Sequence, residues 1–276
     1  MKNYTNKTIL ITGGSSGIGL ALARQLVAQG ASVHILARNA ERLQSGLEEI
    51  SASRISPEQK ITAIQADVTE METLTPSILQ FTQEFGTPDV LINAAGVAHP
   101  GEVADLDMKI FHWTMDVNYY GTVNIIKLLL HGMLKRGSGQ IINYSSMAGY
   151  MGVYGYTAYG ASKYAVRGFS DALRAELKPK GISVSVVFPP DTETPQLAYE
   201  DQFKPPITKI LSGNAGTMTA NEVAAFTLQK AAKKRYIITP GFESSLFFTL
   251  SNLLGRLIYP VMDMQITQAL KKLKRS

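Results

Sequence analysis

The sequence contains no cysteine, which excludes disulfides, thiol nucleophiles and cysteine-based zinc sites, and we expect no metal centre. Residues 1–14 contain no apolar stretch leading to a cleavage site, so no secretory signal peptide is predicted. Charged residues are few, at 18% against 45% hydrophobic residues, a balance typical of a globular chain. Because a cysteine-free chain fits a reducing compartment, we expect a cytoplasmic protein, either free or bound to the cytoplasmic face of a membrane.

The net charge of +5 is modest, and part of it comes from the basic end of the chain, residues 271–276. Such a bias aids solubility and also attracts phosphates or anionic lipid. No stretch interleaves aromatic and basic residues in the manner of a nucleic-acid groove, so no nucleic-acid partner is predicted.

Short β-branched runs alternate with helical patterns along the chain. The predicted strands are residues 7–12, 32–37, 61–66, 89–93, 139–145, 182–188 and 235–239. Helices are predicted between them, including residues 17–30, 39–51 and 70–85. Since the strands are continuous apolar runs, we predict a Rossmann-like, doubly wound parallel α/β sheet in a single domain, residues 1–243. A helical tail that is apolar or amphipathic follows at residues 244–276.

A glycine-rich turn, "TGGSSGIG" at residues 12–19, separates the first strand from the first helix. Its glycines permit a tight turn, close approach of a pyrophosphate and packing of the helix on the sheet, and its serines add hydroxyl donors. The turn therefore predicts a dinucleotide site. The residues expected at the cofactor are Gly13, Ser15, Ser16, Gly17, Ile18 and Gly19.

The end of the second strand indicates which dinucleotide is bound. An NAD site usually carries an acid here for the ribose 2′-hydroxyl, whereas this chain has Arg38 and, one helical turn later, Arg42. Two guanidinium groups suit a 2′-phosphate, which favours NADPH over the alternative of two ordinary surface arginines. Asp67, after the third strand, either accepts a hydrogen bond from the adenine amino group or caps the helix that follows.

A tyrosine and a lysine, Tyr159 and Lys163, lie four residues apart on a predicted helix and therefore on one face. A nearby ammonium lowers the pKa of a tyrosine, which prepares it for proton exchange. Ser146 follows a predicted strand thirteen residues before Tyr159, and Asn118 interrupts a helical stretch.

These motifs, together with "NAAG" at residues 93–96, resemble the short-chain dehydrogenase/reductase family over residues 5–240. The resemblance implies that Tyr159 donates the proton, that Lys163 binds the nicotinamide ribose and lowers the tyrosine pKa, and that Ser146 polarises the carbonyl. It also implies that Asn118 holds a relay water, and that the segment containing Asn93 and Gly96 stabilises the sheet beside the cofactor. Family spacing selects Ser146 rather than its neighbour Ser145.

The segment "FPPDTETPQ", residues 188–196, is placed by the predicted topology at the nicotinamide end. It resembles the 3-ketodihydrosphingosine reductases, a branch of the family that reduces 3-ketosphinganine with NADPH, as do residues 155–179. By position in the family, Thr194 meets the nicotinamide carboxamide, with Thr192 as the second candidate. The second proline of the pair removes a backbone donor and stiffens the turn. A predicted flap, residues 195–218, carries apolar side chains suited to an alkyl chain.

The tail segment at residues 245–262 is apolar but is interrupted by Arg256 and Pro260, so it is marginal for a membrane span. We expect a helix that lies in a membrane interface, packs on its own domain, or contacts a partner subunit. The predicted function is reduction of a ketone with NADPH, most specifically 3-ketosphinganine. A steroid or 3-oxoacyl substrate and a non-catalytic dinucleotide sensor are the alternatives, and family analogy favours a homo-oligomer.

Overall fold

The sheet of the computed structural model, which describes residues 4–212 and 216–273, has the predicted parallel arrangement. Its strands, in chain order, are β1 (Thr8–Thr12), β2 (Ser32–Ala37), β3 (Ile61–Gln65), β4 (Val90–Asn93), β5 (Gly139–Tyr144), β6 (Ile182–Val187), β7 (Thr192–Glu193), β8 (Met218–Thr219) and β9 (Ile237–Ile238). The main sheet runs β3-β2-β1-β4-β5-β6-β9 with every pair parallel, and β7 pairs with β8 separately. The seven predicted strands are thereby confirmed, with β9 shorter than expected.

Helices cover both faces of the sheet. They are α1 (Gly17–Ala28), α2 (Ala40–Ser51), α3 (Met71–Phe85), α4 (Met108–Met115), α5 (Gly121–Arg136), α6 (Thr157–Leu177), α7 (Pro195–Phe203), α8 (Pro206–Ser212), α9 (Ala220–Ala231), α10 (Phe242–Leu254) and α11 (Ile258–Leu273). One core joins α1, α2 and α9 to the sheet, and the other joins α3, α5 and α6 to its opposite face. This is the doubly wound Rossmann-like arrangement predicted from the sequence.

Successive residues of each strand feed these two cores. In β1, Ile9 and Ile11 enter the core under α1, whereas Leu10 enters the core under α3, and all three are fully buried. Because both faces are buried, consecutive central positions of such a strand are apolar, which explains the continuous apolar runs in the sequence.

The strand order reverses between β1 and β4, which are hydrogen-bonded neighbours. At such a switch point the loops that follow the carboxyl ends of the strands diverge and leave a crevice. The glycine turn follows β1 and the "NAAG" segment continues from β4. The serine pair follows β5 and the proline pair follows β6, so the topology brings all four segments to one edge.

The tail forms two helices rather than one continuous helix. Gly255, with a φ of +51°, ends α10, and a short 3₁₀ turn at Gly255–Leu257 leads into α11. α10 packs on its own domain through Phe248, whose ring lies 5.1 Å from Tyr150 and 5.3 Å from Phe188. No helix in the described ranges is long and apolar enough to cross a membrane. The Arg256 side chain, residues 213–215 of the predicted flap and basic residues 274–276 lie outside what is described.

Candidate active site

A cavity of about 570 Å³ opens at the carboxyl edge of the sheet, between the glycine turn and α7. Such a volume is in the range of ligand pockets. The predicted site residues that line it are Gly13, Ser15, Ser16, Gly17, Ile18, Gly19, Arg38, Arg42, Gly96, Ser146, Tyr159, Thr192 and Thr194. Four predicted residues, Asp67, Asn93, Asn118 and Lys163, lie outside this lining, and their contacts explain why.

The glycine turn has the backbone that an anion cradle requires. Gly13 and Gly17 have φ values of +69° and +53°, and a Cβ on Gly13 would lie 2.8 Å from the backbone of Ala95. The helix α1 begins with Ser16 as its N-cap, and neither a side-chain cap nor an acid occupies its described first turn. Its first backbone N–H groups are therefore available to phosphate oxygens, and the turn fits a pyrophosphate.

Both arginines lie at the end of the crevice beyond β2. Asn39 caps α2 by accepting a hydrogen bond from the Arg42 backbone N–H at 2.8 Å. The Arg38 guanidinium donates to an Asp67 carboxylate oxygen at 3.3 Å. The sequence prediction missed this ion pair, because β2 and β3 must first be placed side by side.

Asp67 does not cap α3, which corrects one of its two predicted roles. Glu70 is the N-cap of that helix, and Asp67 instead accepts hydrogen bonds from the backbone N–H and the hydroxyl of Thr69, at 2.9 and 2.8 Å. Those bonds close the turn before the helix, so Asp67 stabilises that turn and also forms an ion pair with Arg38. A bond to the adenine stays a prediction.

The side chains of the two predicted asparagines, Asn93 and Asn118, form hydrogen bonds within the protein. Asn93 is buried and donates from Nδ2 to Oδ1 of Asn143 at 2.9 Å, which ties β4 to β5. Asn118 lies in a π-helical turn, Asp116–Tyr120, and its side chain both accepts from the Val97 N–H at 2.8 Å and donates to the Val97 carbonyl at 2.9 Å. It also donates to the Ser162 hydroxyl at 2.9 Å. π-helical turns recur at functional sites, and this one confirms the predicted helix interruption.

The structure separates the adjacent serines as the family spacing predicts. The hydroxyl of Ser145 is buried and donates to the Lys163 carbonyl at 2.9 Å. Ser146 instead lines the cavity, and its hydroxyl accepts from the Ala148 N–H at 3.2 Å and is close enough to Tyr159 to lower the pKa of that phenol. The Ser146 and Tyr159 side chains therefore lie near each other in the wall of the same cavity.

Lys163 is buried behind Tyr159 on α6. Its ammonium donates to the Tyr144 carbonyl at 3.0 Å and lies 5.6 Å from the centre of the Tyr159 ring. A Cβ on Gly96 would lie 3.3 Å from that ammonium and 3.2 Å from Oδ1 of Asn118, so the glycine leaves the space between the two groups open. Burial lowers the pKa of Lys163 to about 8, against the opposing charge of Glu200, and the ammonium still dominates at pH 7.

The predicted lowering of the Tyr159 pKa by Lys163 is not found. Burial raises the pKa of Tyr159, the negative charges of Glu200 and Asp191 raise it further, and the hydrogen bond with Ser146 opposes them. The ammonium is held by the Tyr144 carbonyl rather than by the phenol oxygen, so it does not offset burial. Tyr159 is therefore protonated at neutral pH, which is the form that a proton donor needs.

The proline pair leads from β6 into the predicted flap. Pro189 accepts a hydrogen bond from the Met147 N–H at 3.3 Å, beside Ser146, while the Thr192 hydroxyl donates to the Pro190 carbonyl at 2.8 Å. Thr194 caps α7 by accepting from the Leu197 N–H at 3.2 Å. A Cβ on Gly17 would lie 3.0 Å from the Thr194 methyl, so the glycine turn and the flap approach each other across the cavity.

Sequence reasoning missed a carboxylate on the flap. Glu200 of α7 is buried, lines the cavity and accepts a hydrogen bond from the Tyr156 hydroxyl at 2.6 Å. A glutamate in "QLAYEDQF" is indistinguishable in the sequence from a solvated helix residue, so no local signal pointed to it. Its burial depends on the approach of α7 to Tyr156, the N-cap of α6, which is a tertiary property.

Comparison with known proteins identifies the family. Residues 7–204 match the short chain dehydrogenase family, which is more than half of the chain. The chain belongs to the short-chain dehydrogenase family. It is therefore an oxidoreductase that uses a nicotinamide dinucleotide.

Curated relatives of this short-chain dehydrogenase share about a third of its residues. It is 34% identical over 244 residues to the 3-ketodihydrosphingosine reductase of Bos taurus, covering 88% of this chain and 74% of the relative. It is 38% identical over 237 residues to the 3-dehydrosphinganine reductase TSC10B of Arabidopsis thaliana, covering 85% of this chain and 70% of the relative. The resemblance to this branch of the family is thereby confirmed.

Solved structures of other short-chain dehydrogenases share the fold. A short-chain dehydrogenase from Sphingobium yanoikuyae in complex with NADPH has a TM-score of 0.77 at 24% identity, covering 92% of this chain and 95% of that one. A 3-oxoacyl-[acyl-carrier protein] reductase from Brucella melitensis with bound NAD has a TM-score of 0.72 at 26% identity, covering 86% and 90%. Since one of these proteins holds NADPH and the other NAD, the fold alone does not decide the dinucleotide of this short-chain dehydrogenase.

Proposed function

We propose that the protein reduces 3-ketosphinganine to sphinganine with NADPH. The observation that carries the reaction type is the proximity of the Ser146 and Tyr159 side chains in the cavity of a short-chain dehydrogenase. The names of the relatives, which cover most of this chain, support the sphingoid ketone as substrate. The two arginines beyond β2 support NADPH, because both line the cavity and a guanidinium group suits a 2′-phosphate.

The glycine turn and α1 would hold the pyrophosphate, and Arg38 and Arg42 the 2′-phosphate. Lys163 would bind the nicotinamide ribose, with Thr194 or Thr192 at the carboxamide. NADPH, when bound, supplies the hydride that reduces the ketone carbon. The protein orients the two reactants and excludes water from them.

The proton needed for the alcohol comes from the protein. Ser146 would donate a hydrogen bond to the ketone oxygen, which polarises the carbonyl, and Tyr159 would transfer its phenolic proton to the same oxygen. One hydride on carbon and one proton on oxygen give the secondary alcohol. Lys163 would return a proton to Tyr159 through a relay whose water Asn118 would hold.

Turnover with three ketones tests the proposal. Purified protein is given NADPH and either 3-ketosphinganine, a steroid ketone or a short 3-oxoacyl thioester. NADPH oxidation is followed by the loss of absorbance at about 340 nm. We expect kcat/KM to be highest for 3-ketosphinganine. Turnover of only the steroid or the thioester would overturn the substrate assignment but retain the reductase, whereas no turnover of any ketone would favour a dinucleotide sensor.

The tail would add a membrane contact to this reductase. We propose residues 1–243 as the NADP-binding unit and residues 244–276 as a helical tail that packs on it and rests on an anionic membrane. Each subunit of a homo-oligomer would carry one such tail. Its most exposed apolar side chains support the contact: Leu253, Leu257 and Tyr259 are 78%, 70% and 57% exposed. Basic residues at the end of α11 would lie near anionic headgroups.

Replacing these three tail residues by serine is expected to weaken binding to anionic phospholipid vesicles at least about tenfold, because each inserts apolar area into the interface. The measurement is co-sedimentation with vesicles. Deleting the tail is a poorer test, since it removes Phe248 from the core. Ile55, Leu79 and Val103, which are also exposed, provide a matched triple serine control. Unchanged sedimentation of the tail variant would reject the membrane contact, and dissociation of an oligomer instead would assign this face to a subunit interface.

A further inference from the structure

The carboxylate of Glu200 is the least expected group in the cavity. The residue is 7% exposed, and each of its oxygens accepts one hydrogen bond from a neutral donor. The Tyr156 hydroxyl donates to Oε2 at 2.6 Å, and the Gln196 amide donates to Oε1 at 2.8 Å. Both donors also line the cavity, so the carboxylate forms part of its wall.

Within the described part of the chain, no cation pairs with this carboxylate. Lys204 is close enough to influence it but is bound to Asp201 at 2.7 Å and to Asp191 at 3.5 Å. Lys163 is bound to the Tyr144 carbonyl. Burial of a carboxylate without a cation is costly, and burial raises the pKa of Glu200 accordingly. A cationic ligand group in the cavity would offset that cost.

Glu200 also lies close to the reacting position. Its hydrogen-bond partner Tyr156 has its ring centre 5.7 Å from that of Tyr159, and the charge of Glu200 raises the pKa of Tyr159. Because Tyr159 and Glu200 line the same cavity, one ligand can place its carbonyl at the Tyr159 hydroxyl and a cationic group at the Glu200 carboxylate. A 2-amino-3-ketone has this arrangement, because its ammonium is attached to the carbon next to the ketone.

We propose that Glu200 is the substrate-specificity residue that binds the ammonium group beside the reacting ketone. This inference rests on the proposed function and deepens it, since it explains how the site selects an amino ketone over other hydrophobic ketones. The carboxylate fixes the amine, Ser146 and Tyr159 hold the carbonyl oxygen, and the alkyl chain leaves along the apolar side chains of α7. Asp191, which also lines the cavity, is already paired with Lys204 and is the weaker partner for the amine.

A purely structural role makes a different prediction. If Glu200 only anchors Tyr156 and α7, its loss disturbs every substrate alike, whether or not the substrate carries a charge. If it binds the ammonium, its loss affects only substrates that have one. The preference for the amine, measured as a ratio of kcat/KM values within one preparation, separates the two because the ratio does not depend on the folded fraction.

The test compares Glu200→Gln with wild type on 3-ketosphinganine and on its 2-deamino analogue of equal chain length. Glutamine keeps the size of the side chain and one of its two acceptor oxygens, and it removes the charge. A hydrogen bond to a charged group contributes about 1.5–3 kcal/mol, so we expect kcat/KM for the amine to fall about 10- to 100-fold. The kcat/KM for the deamino ketone should change less than about threefold. Glu193→Gln, an exposed glutamate on β7, is the matched control and should alter neither value.

A binding measurement makes the result independent of turnover. In the presence of NADP⁺, Glu200→Gln should raise the dissociation constant of sphinganine about 10- to 100-fold. The dissociation constant of N-acetylsphinganine, which has no ammonium, should change less than about threefold. Glu200→Asp retains the charge and should keep the preference for the amine, which covers the case in which Glu200→Gln does not fold. Equal losses on both ketones and both products would overturn the inference and leave the proposed function intact. A wild-type protein that does not reduce 3-ketosphinganine would overturn the proposed function, and the sphinganine measurement would still decide the role of Glu200.

Discussion

Replacing Tyr159 with phenylalanine is expected to lower kcat about 10³-fold, because the substitution removes the proposed proton donor. The other phenols that line the cavity, Tyr156 and Tyr199, are hydrogen-bonded to Glu200 and His99. Phenylalanine retains the ring against Tyr156, so the wall of the cavity is preserved. The dissociation constant for NADPH should change less than about threefold, since the pyrophosphate and 2′-phosphate contacts lie elsewhere in the cavity. Single-turnover rates and NADPH fluorescence titration measure the two quantities separately.

A second tyrosine on the same helix provides the control for this prediction. Tyr164 is 44% exposed and lies outside the cavity lining, so Tyr164→Phe removes a hydroxyl from α6 without touching the reaction. We expect it to retain wild-type kcat. If Tyr159→Phe kept more than about a tenth of wild-type kcat, a loss smaller than general acid catalysis typically supplies, Tyr159 would not be the proton donor.

The raised pKa of Tyr159 bears on the direction of the reaction. Reduction needs a protonated phenol, and burial together with Glu200 and Asp191 keeps the phenol protonated without the cofactor. The same charges would oppose formation of the phenolate that alcohol oxidation requires. The protonated phenol is the form that ketone reduction requires, in agreement with the proposed function.

Features that depend on local pattern could be predicted from the sequence. The sheet follows from apolar runs such as residues 7–12, and the glycine turn follows from three glycines between a strand and a helix. Tyr159 and Lys163 share a helix face at a spacing of four residues. Each of these signals lies within a single element, so a period or a spacing is enough to detect it.

Features that depend on contacts between distant elements could not be predicted. The Arg38–Asp67 ion pair joins the ends of β2 and β3, and the Lys163 ammonium is held by the Tyr144 carbonyl at the end of β5. Burial and the charges of Glu200 and Asp191 raise the pKa of Tyr159, and the Lys163 ammonium, held by that carbonyl, does not offset them. Glu200 enters the cavity only because α7 folds back over the site, and the break at Gly255 divides a tail that reads in sequence as one apolar helix.

Replacing both Arg38 and Arg42 with alanine is expected to raise the dissociation constant for NADPH about 100-fold. The dissociation constant for NADH should change less than about threefold. The reason is that the two cofactors differ only at the 2′-phosphate, and a charge-assisted bond to each guanidinium contributes about 1.5–3 kcal/mol. The Arg38–Asp67 pair does not prevent this role. Its members are 51% and 23% exposed, and an exposed ion pair contributes only about 0–1 kcal/mol, so a doubly charged phosphate competes effectively for the guanidinium.

The control for the arginine variant must remove the same charge from elsewhere on the surface. Arg54 and Lys60 are exposed and lie outside the cavity lining, and their joint replacement by alanine also lowers the formal net charge from +5 to +3. If long-range attraction alone drew NADPH to the protein, both double variants would weaken it equally. If the arginines bind the 2′-phosphate, only the Arg38 and Arg42 double variant weakens NADPH binding. In that variant the dissociation constant for NADPH rises relative to the one for NADH. Equal losses for the two cofactors in the arginine variant would instead assign Arg38 and Arg42 to the fold of the β2–α2 turn.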